Sequence, residues 1–459
     1  MDASQYTFGG FLDHLRRDRL PLQLRRNGQP AQWADEALHQ WAYQGNPELY
    51  ALLGVASGVQ PEQRLRILYQ LLRVSRAGMA KELRRQLDRP IAVLLRILPP
   101  DSVLTVFLAL RRDRANHKHT AKAILKYILN HPHFEDMARC RRLAVVDSLE
   151  HAMGKNVARA CAKMLSSSEC ADPIYLRRHL LRFAREPEWV KQVFPLLYAS
   201  GPRTPGQGTY QLVHTQYADR MGERRERPKT ITATNRGDIS ATLVHLYRGG
   251  TSPQLQQALD RYVEVAAREL PVFAGKLAIV LDASASTRGY GEREYCNIAQ
   301  SMALTLVLQK CCDRAEVFTV GGSGKIPIPE GSSDLASATI CALETQPDLV
   351  AIVSDGYENL YPSDLARVVA TLPQLNLRTP VVFCHSKFTN NDDLSLRQPA
   401  PNLPQIEFWH QDDFEEVILS LFSLLSGSHV EAAMQNFLRQ KLEALEQRFS
   451  SATELAKTA

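Results

Sequence analysis

Apolar side chains recur every three or four residues through residues 30–200, the spacing that places them on one face of an α-helix. Pro47 and Pro61 precede two such stretches and stand where a first helical position is expected. The connections are brief, and no alternating apolar and polar pattern typical of strands interrupts them. The sequence therefore predicts an all-helical, solenoid-like domain over residues 1–200. Its clearest helical stretches are 33–41, 49–55, 65–72, 91–97 and 103–110.

The pattern breaks after residue 200. Residues 201–206 combine Gly and Pro, and residues 220–229 are polar and basic with little to bury. We expect residues 201–254 to form a linker and loop region between two domains.

Short, continuous apolar runs then replace the helical pattern. Such runs are typical of strands buried on both faces of a sheet, and helical stretches separate them. This alternation predicts a doubly wound, mainly parallel α/β domain over residues 255–426. An amphipathic C-terminal helix is predicted within residues 427–459. The predicted strands are 277–281, 316–320, 349–353, 381–383 and 406–408.

The charge distribution supports this division. Residues 1–250 contain 39 basic and 23 acidic side chains, a net charge of +16, whereas residues 251–459 contain 16 and 26, a net charge of −10. The overall +6 therefore combines two regions of opposite charge. The eight cysteines form no CxxC pair, and neither a signal peptide nor a membrane-spanning run is recognisable. We expect a cytoplasmic, soluble protein with free thiols and no membrane partner.

Three polar segments follow predicted elements of the α/β domain. Asp282, Ser284 and Ser286 come directly after the first buried strand, Ser333 precedes a helix, and Asp355 follows another buried strand. The carboxyl ends of parallel strands share one edge of the sheet, where ligands bind. Carboxylates and hydroxyls suit a hard cation, and a small site favours Mg²⁺ over Ca²⁺. We expect these five residues to hold Mg²⁺ or another divalent cation.

This arrangement resembles the von Willebrand factor A domain and its metal-ion-dependent adhesion site. The family pattern is DxSxS, a Thr in a later loop and an Asp after another strand. Asp282, Ser284 and Ser286 match the first part and Asp355 the last, whereas Ser333, or alternatively Ser332, replaces the Thr. The resemblance covers residues 274–426. It implies an A-type α/β fold and a metal with one open position, which an acidic group of a protein partner fills.

The basic residues of the helical half form a candidate surface for RNA. Clustered cations attract phosphate backbones, although an ordinary solvated helix face has the same composition. The predicted nucleic-acid-binding residues are Arg111, Arg112, Arg114, Lys118, Lys122, Arg139, Arg141 and Arg142.

A helical half followed by an A-type domain also resembles the Ro/TROVE family of RNA-binding proteins. Residues 255–275, 295–304 and 331–335 lie where that family has comparable segments. The resemblance implies a helical ring that binds the ends of unpaired, misfolded RNA, and a ribonucleoprotein as the assembled form.

Enzymatic chemistry has little support, because neither a GxSxG nucleophile elbow nor a GxxxxGK[ST] phosphate loop is present. We therefore predict no catalytic residues. The expected function is that of a non-enzymatic, metal-dependent scaffold that binds RNA through its helical half and recruits a protein through its A-type domain. The alternative is a protein-only adaptor, because bacterial proteins that resemble this layout partner AAA+ ATPases of the MoxR type.

Overall fold

The computed structural model describes residues 7–24, 29–167, 172–199, 238–250, 252–388, 392, 394, 397–425 and 428–458, with only the backbone of residues 428, 429 and 451–458. These residues divide into two compact units. The helical unit comprises the described residues of His14–Arg225 and Leu438–Ala459. The sheet unit comprises those of Thr7–Asp13 and Glu226–Phe437.

The helical unit consists of short helices whose apolar faces form its core. Several begin with Pro at the first helical position, where the missing N–H costs nothing. Pro47 is one example, and the preceding Asn46 caps the helix by accepting a 3.0 Å hydrogen bond from the backbone N–H of Leu49. The helices are the last part of α1 (Phe8–Arg17), whose residues up to Asp13 belong to the sheet unit, α2 (Glu36–Gly45), α3 (Pro47–Leu53), α4 (Pro61–Arg73), α5 (Lys81–Ile97), α6 (Pro100–Arg112), α7 (Lys118–Leu129), α8 (Phe134–Cys140), α9 (Arg142–Met153), α10 (Lys155–Ser166), α11 (Pro173–His179) and α12 (Pro187–Val193).

The sheet unit contains five parallel strands in the order β2-β1-β3-β4-β5. Strand order reverses between β1 and β3, which makes the crevice at their carboxyl ends the topological switch point. The strands are β1 (Phe273–Ala283), β2 (Cys312–Gly321), β3 (Leu349–Ser354), β4 (Val381–Ser386) and β5 (Gln405–Phe408). The helices are α13 (Ile239–Tyr247), α14 (Pro253–Arg268), α15 (Cys296–Lys310), α16 (Leu335–Glu344), α17 (Asp364–Thr371), α18 (Phe414–Ser423) and the first part of α19 (Ser428–Thr458), whose residues from Leu438 onwards belong to the helical unit.

Both faces of the sheet are covered, which explains its continuous apolar runs. Ile279 and Leu281 of β1 pack into one core, formed with α13, α14, α15 and α18, while Ala278 and Val280 pack into the other, formed with α16 and α17. Alternate residues of a strand point to opposite faces, so a strand that is covered twice must be apolar at every position. Helix α15 is buried on nearly all sides for the same reason.

The predicted fold class is confirmed: a helical N-terminal part is followed by a doubly wound parallel sheet and a C-terminal helix. Most of the predicted linker, residues 201–237, lies outside the described residues, whereas Ile239–Tyr247 forms helix α13. Within the described part of the chain, no helix combines the length and the apolarity that crossing a bilayer requires.

Candidate metal centre and basic surface

Asp282 and Asp355 stand at the carboxyl ends of the two strands that flank the switch point. Leu281 of β1 is in register with Val353 of β3, so the residues that follow them are also adjacent. Ser354 uses this proximity, because its hydroxyl donates a 2.6 Å hydrogen bond to Oδ2 of Asp282. Asp355 follows Ser354 directly, and the strand pairing therefore brings the two carboxylates to one point of the sheet edge.

The turn after β1 gathers the two predicted serine ligands. The backbone N–H of Ser284 donates to Oδ1 of Asp282 at 3.0 Å, and the hydroxyls of Ser284 and Ser286 are 3.0 Å apart. The hydroxyl of Ser286 also interacts with the carboxyl group of Asp355. Thr287 closes the turn by donating a 2.8 Å hydrogen bond to the carbonyl oxygen of Ser284. Four of the predicted ligands are thus brought together by contacts in the structure.

Ser333 reaches the same edge on a separate loop. The backbone N–H of Ala285 donates to the carbonyl oxygen of Gly331 at 3.1 Å, which ties this loop to the turn after β1. The hydroxyl of Ser333 accepts a 2.7 Å hydrogen bond from the backbone N–H of Asn359. Ser333 is fully buried, whereas its neighbour Ser332 is exposed. The loop contacts therefore involve Ser333, the first of the two predicted alternatives.

The side chains of Asp282 and Asp355 are both fully buried. Burial raises the pKa of Asp282. Burial, followed by the charge of Asp282, raises the pKa of Asp355 to about 7. Oδ2 of Asp355 is buried and has no hydrogen-bond partner among the described residues. An orphaned acceptor beside a second carboxylate and several hydroxyls is the environment that a hard cation would satisfy. The donor set fits Mg²⁺.

The supporting residues around this site were not predicted. Ser354 had a sequence signal, since a hydroxyl ends an otherwise apolar strand immediately before Asp355. His385 and Arg397 both contact the main-chain oxygen of Asp355. Arg397 lies 42 residues after Asp355 in the sequence. No local pattern could have connected these two residues.

Five of the eight predicted RNA-binding cations are engaged in contacts. Arg111 pairs with Asp147, and Arg139 pairs with Glu135 four residues earlier. Nε of Arg141 lies 2.8 Å from Oδ1 of Asp101.

Arg142 is engaged by backbone instead, because its Nε donates a 2.7 Å hydrogen bond to the carbonyl oxygen of Leu197. Arg112 is half-buried and also makes contacts. By contrast, Arg114, Lys118 and Lys122 are exposed and form no ion pair with a described residue. These three positions are the part of the predicted surface that offers accessible charge.

An open cleft of about 480 Å³ adjoins this exposed group. Arg114 and His117 line it together with the ion-paired side chains of Glu36, Arg73 and Asp113. Its lining carries both signs of charge. The cleft therefore differs from the uniformly basic surface that composition alone predicts.

A second cluster of metal-ligating residue types lies in the helical unit. Ligand atoms of His14, Asp18 and Asp35 fall within 4.8 Å of one another. However, Nη1 of the fully buried Arg66 lies 2.6 Å from Oδ2 of Asp35 and 3.5 Å from Oδ1 of Asp18. The guanidinium already supplies the positive charge that these carboxylates require, so the cluster is a partly buried ion network around Arg66.

No protein-family model matches this sequence, and no curated protein matches it. Among solved structures, the crystal structure of the Ro (RSR) protein of Deinococcus radiodurans is similar over 88% of this chain and 95% of that chain. The sequence identity is 10% and the TM-score is 0.37. A likeness at this distance does not establish a shared family or function.

Proposed function

We propose that this protein is a non-enzymatic binding scaffold whose sheet unit holds a divalent cation, with Mg²⁺ preferred, at the carboxyl edge between β1 and β3. The observation that carries the proposal is the burial of Asp282 and Asp355 at the ends of neighbouring strands, among hydroxyl groups, with Oδ2 of Asp355 unpaired among the described residues. Two carboxylates this deeply buried are neutralised either by protons or by a bound cation.

The proposal assigns the same role to the five predicted ligands. Asp282, Ser284, Ser286, Ser333 and Asp355 would hold the cation. Once bound, the cation would supply a Lewis-acidic position for an acidic side chain of a protein partner. Ser286 is only partly buried, while the other four are fully buried. The partner is therefore expected to approach from the side of Ser286.

Calorimetric titration with MgCl₂ tests the metal proposal. We expect the wild-type protein to bind one equivalent, and Asp282→Ala and Asp355→Ala to show no binding heat. Asp313→Ala is the matched control, because Asp313 is exposed near the start of β2, at the opposite edge of the parallel sheet. Ser286→Ala should weaken binding with little effect on folding. Equal binding by wild type and Asp282→Ala would exclude this site.

The second part of the proposal assigns RNA binding to the helical unit. Its support is the exposed cations Arg114, Lys118 and Lys122 beside a cleft of about 480 Å³. Such cations bind phosphates with little regard to base sequence, with the release of counterions. Fluorescence anisotropy with a labelled single-stranded RNA would measure this binding. Affinity should fall steeply between about 50 and 200 mM salt.

A charge-reversal variant sharpens the RNA test. Lys118→Glu/Lys122→Glu should reduce the slope of log affinity against log salt by about 1.4, since each lost phosphate contact contributes about 0.7 on single strands. Arg139→Glu is the control, because Arg139 is equally exposed but already pairs with Glu135. No affinity for RNA in the wild-type protein, or equal losses in both variants, would overturn the RNA assignment.

A protein-only adaptor, for example a partner of a MoxR-type AAA+ ATPase, is the second candidate. It is favoured by the engagement of Arg111, Arg139 and Arg141 with carboxylates and of Arg142 with backbone oxygens, because these contacts leave fewer cations for RNA. The adaptor should co-purify with a protein partner that is released by EDTA and absent from Asp282→Ala. A purified complex rich in RNA, with a partner retained in EDTA, would contradict it.

A further inference from the structure

We propose that Arg397 is a positioning residue for the cation site, which holds the main chain of Asp355 so that its carboxylate faces the ligands on β1. This inference rests on the proposed metal function. Arg397 does not touch the predicted cation and lies outside the motif that predicts the ligands.

The contact is made through the backbone of the ligand residue. Nη1 of Arg397 donates a 3.0 Å hydrogen bond to the main-chain oxygen of Asp355. Nε2 of His385 lies 2.9 Å from the same oxygen. Both side chains are buried, with Arg397 only 5% exposed. A carbonyl oxygen held by two side chains cannot rotate freely, so the peptide that follows Asp355 has a fixed orientation.

That orientation bears directly on the carboxylate. The backbone N–H of Tyr357 donates to Oδ1 of Asp355 at 3.1 Å, which leaves Oδ2 as the unpaired oxygen. Gly356, between them, has a φ of +85°, and a Cβ there would lie 2.4 Å from the carbonyl oxygen of Arg397. The turn therefore packs tightly against Arg397, and its shape selects which oxygen of Asp355 remains available.

Arg397 is itself held rigidly. Its Nη2 pairs with the carboxylate of Asp392. Its guanidinium carbon lies 4.6 Å from the ring centroid of Phe388 and 5.4 Å from that of Tyr357. An arginine held by a carboxylate and stacked on aromatic rings loses little further freedom when it donates to a carbonyl. A lysine could reach the oxygen but could not reproduce the planar stacking.

Residues that orient a metal ligand from behind commonly change metal affinity by about 10- to 100-fold when they are removed. We therefore expect Arg397→Met to lower Mg²⁺ affinity at least about tenfold in calorimetric titration, and Arg397→Lys to recover part of the loss. Arg367→Met is the matched control, because Arg367 lies in the same unit and pairs with Asp364 at the surface. Thermal unfolding without metal measures the structural cost of each variant.

The outcomes separate the inference from the proposed function. Absence of Mg²⁺ binding by the wild-type protein would overturn both. If the wild-type protein binds Mg²⁺ and Arg397→Met changes the affinity by less than about twofold, the positioning role alone is overturned. Equal losses of Mg²⁺ affinity in Arg397→Met and Arg397→Lys would also overturn it. If Arg397→Met does not fold, Asp392→Asn carries the test. It keeps the arginine but frees its guanidinium, and unchanged affinity in that variant would overturn the inference.

Discussion

The hydroxyl of Ser354 lies 2.6 Å from Oδ2 of Asp282, so the last residue of β3 orients the carboxylate at the end of β1. The same hydroxyl accepts a 3.0 Å hydrogen bond from the backbone N–H of Gly356, on the far side of Asp355. One serine thus connects the two segments that carry the proposed carboxylate ligands. Neighbouring strands of the sheet are coupled at the site by a side chain as well as by the backbone ladder.

Ser354→Ala should lower Mg²⁺ affinity about tenfold, because supporting hydrogen bonds to metal ligands have effects of this size. Oδ2 of Asp282 would lose its donor in a buried environment and would be less well oriented. Calorimetric titration measures the change, and Ser337→Ala, an exposed position on α16, is the control. Unchanged affinity in Ser354→Ala would show that the strand pairing alone is sufficient.

Stability and metal binding should depend on pH in opposite ways. The pKa of Asp355 is raised from 3.8 to about 7, so the folded metal-free protein holds a proton that the unfolded chain releases above pH 4. Its free energy of unfolding should therefore decrease as pH rises from about 4 to 7. Mg²⁺ must displace this proton below pH 7, so it should raise the melting temperature more at pH 8 than at pH 6.

Differential scanning calorimetry with and without Mg²⁺ measures both effects. Asp355→Asn cannot ionise and should be insensitive to Mg²⁺ at either pH. A larger stabilisation by Mg²⁺ at pH 6 than at pH 8 in the wild-type protein would contradict this prediction.

His410 should contribute a second pH dependence in the sheet unit. Burial alone would lower its pKa, but the hydrogen bonds to Asp238 and Asp412 outweigh burial and raise the pKa to about 9. Nε2 of His410 lies 3.0 Å from Oδ2 of Asp238, whose other oxygen caps α13. The stabilisation from this pair is complete below pH 6.5 and is lost as pH rises through 9, a change on the order of 3 kcal/mol.

Urea unfolding at pH 6 and pH 9.5 measures this loss. His410→Asn removes the charge and should flatten the dependence between these values. A variant that retains the full wild-type dependence would show that the titrating group lies elsewhere.

Asp35 of the helical unit should be essential for stability. Burial alone would raise its pKa, but hydrogen bonds from His14 and His39 lower it far below the ordinary range. Asp35→Asn would remove the closer of the two carboxylates that pair with the buried guanidinium of Arg66 and leave only Asp18, at 3.5 Å. Breaking a buried ion pair costs about 3–5 kcal/mol, which sets the upper end of the expected loss. The neighbouring Glu36→Gln is the control, because Glu36 pairs with Arg73 near the surface, where ion pairs contribute under about 1 kcal/mol.

Chemical denaturation of both variants provides the comparison. Equal stability of Asp35→Asn and Glu36→Gln would show that the ion network around Arg66 does not support the fold. Since Asp35 has a lowered pKa, its stabilising effect should be present above pH 4 and should fade as pH falls below that value.

The sequence by itself determined the element order. A strand covered on both faces, such as 277–281 or 349–353, must be apolar at every position. This local pattern can be recognised in the sequence without knowing which strands pair with it. The placement of Asp282 and Asp355 at carboxyl ends follows from the same pattern, because each follows an apolar run, at 277–281 and 349–353, with Ser354 between the second run and Asp355. In the structure Asp282 is the penultimate residue of β1, and Asp355 directly follows β3. The cation and RNA assignments drawn from these residues remain predictions for the experiments above.

Only the tertiary structure decided which residues support the site and which cations are accessible. Arg397 meets Asp355 across 42 residues, and no periodicity encodes a contact between a loop and a distant turn. Likewise, Lys122 and Arg141 look equivalent as basic residues, yet only Arg141 has Asp101 beside it. Pairing depends on the folded path of the chain, whereas composition records only the charge that each residue carries.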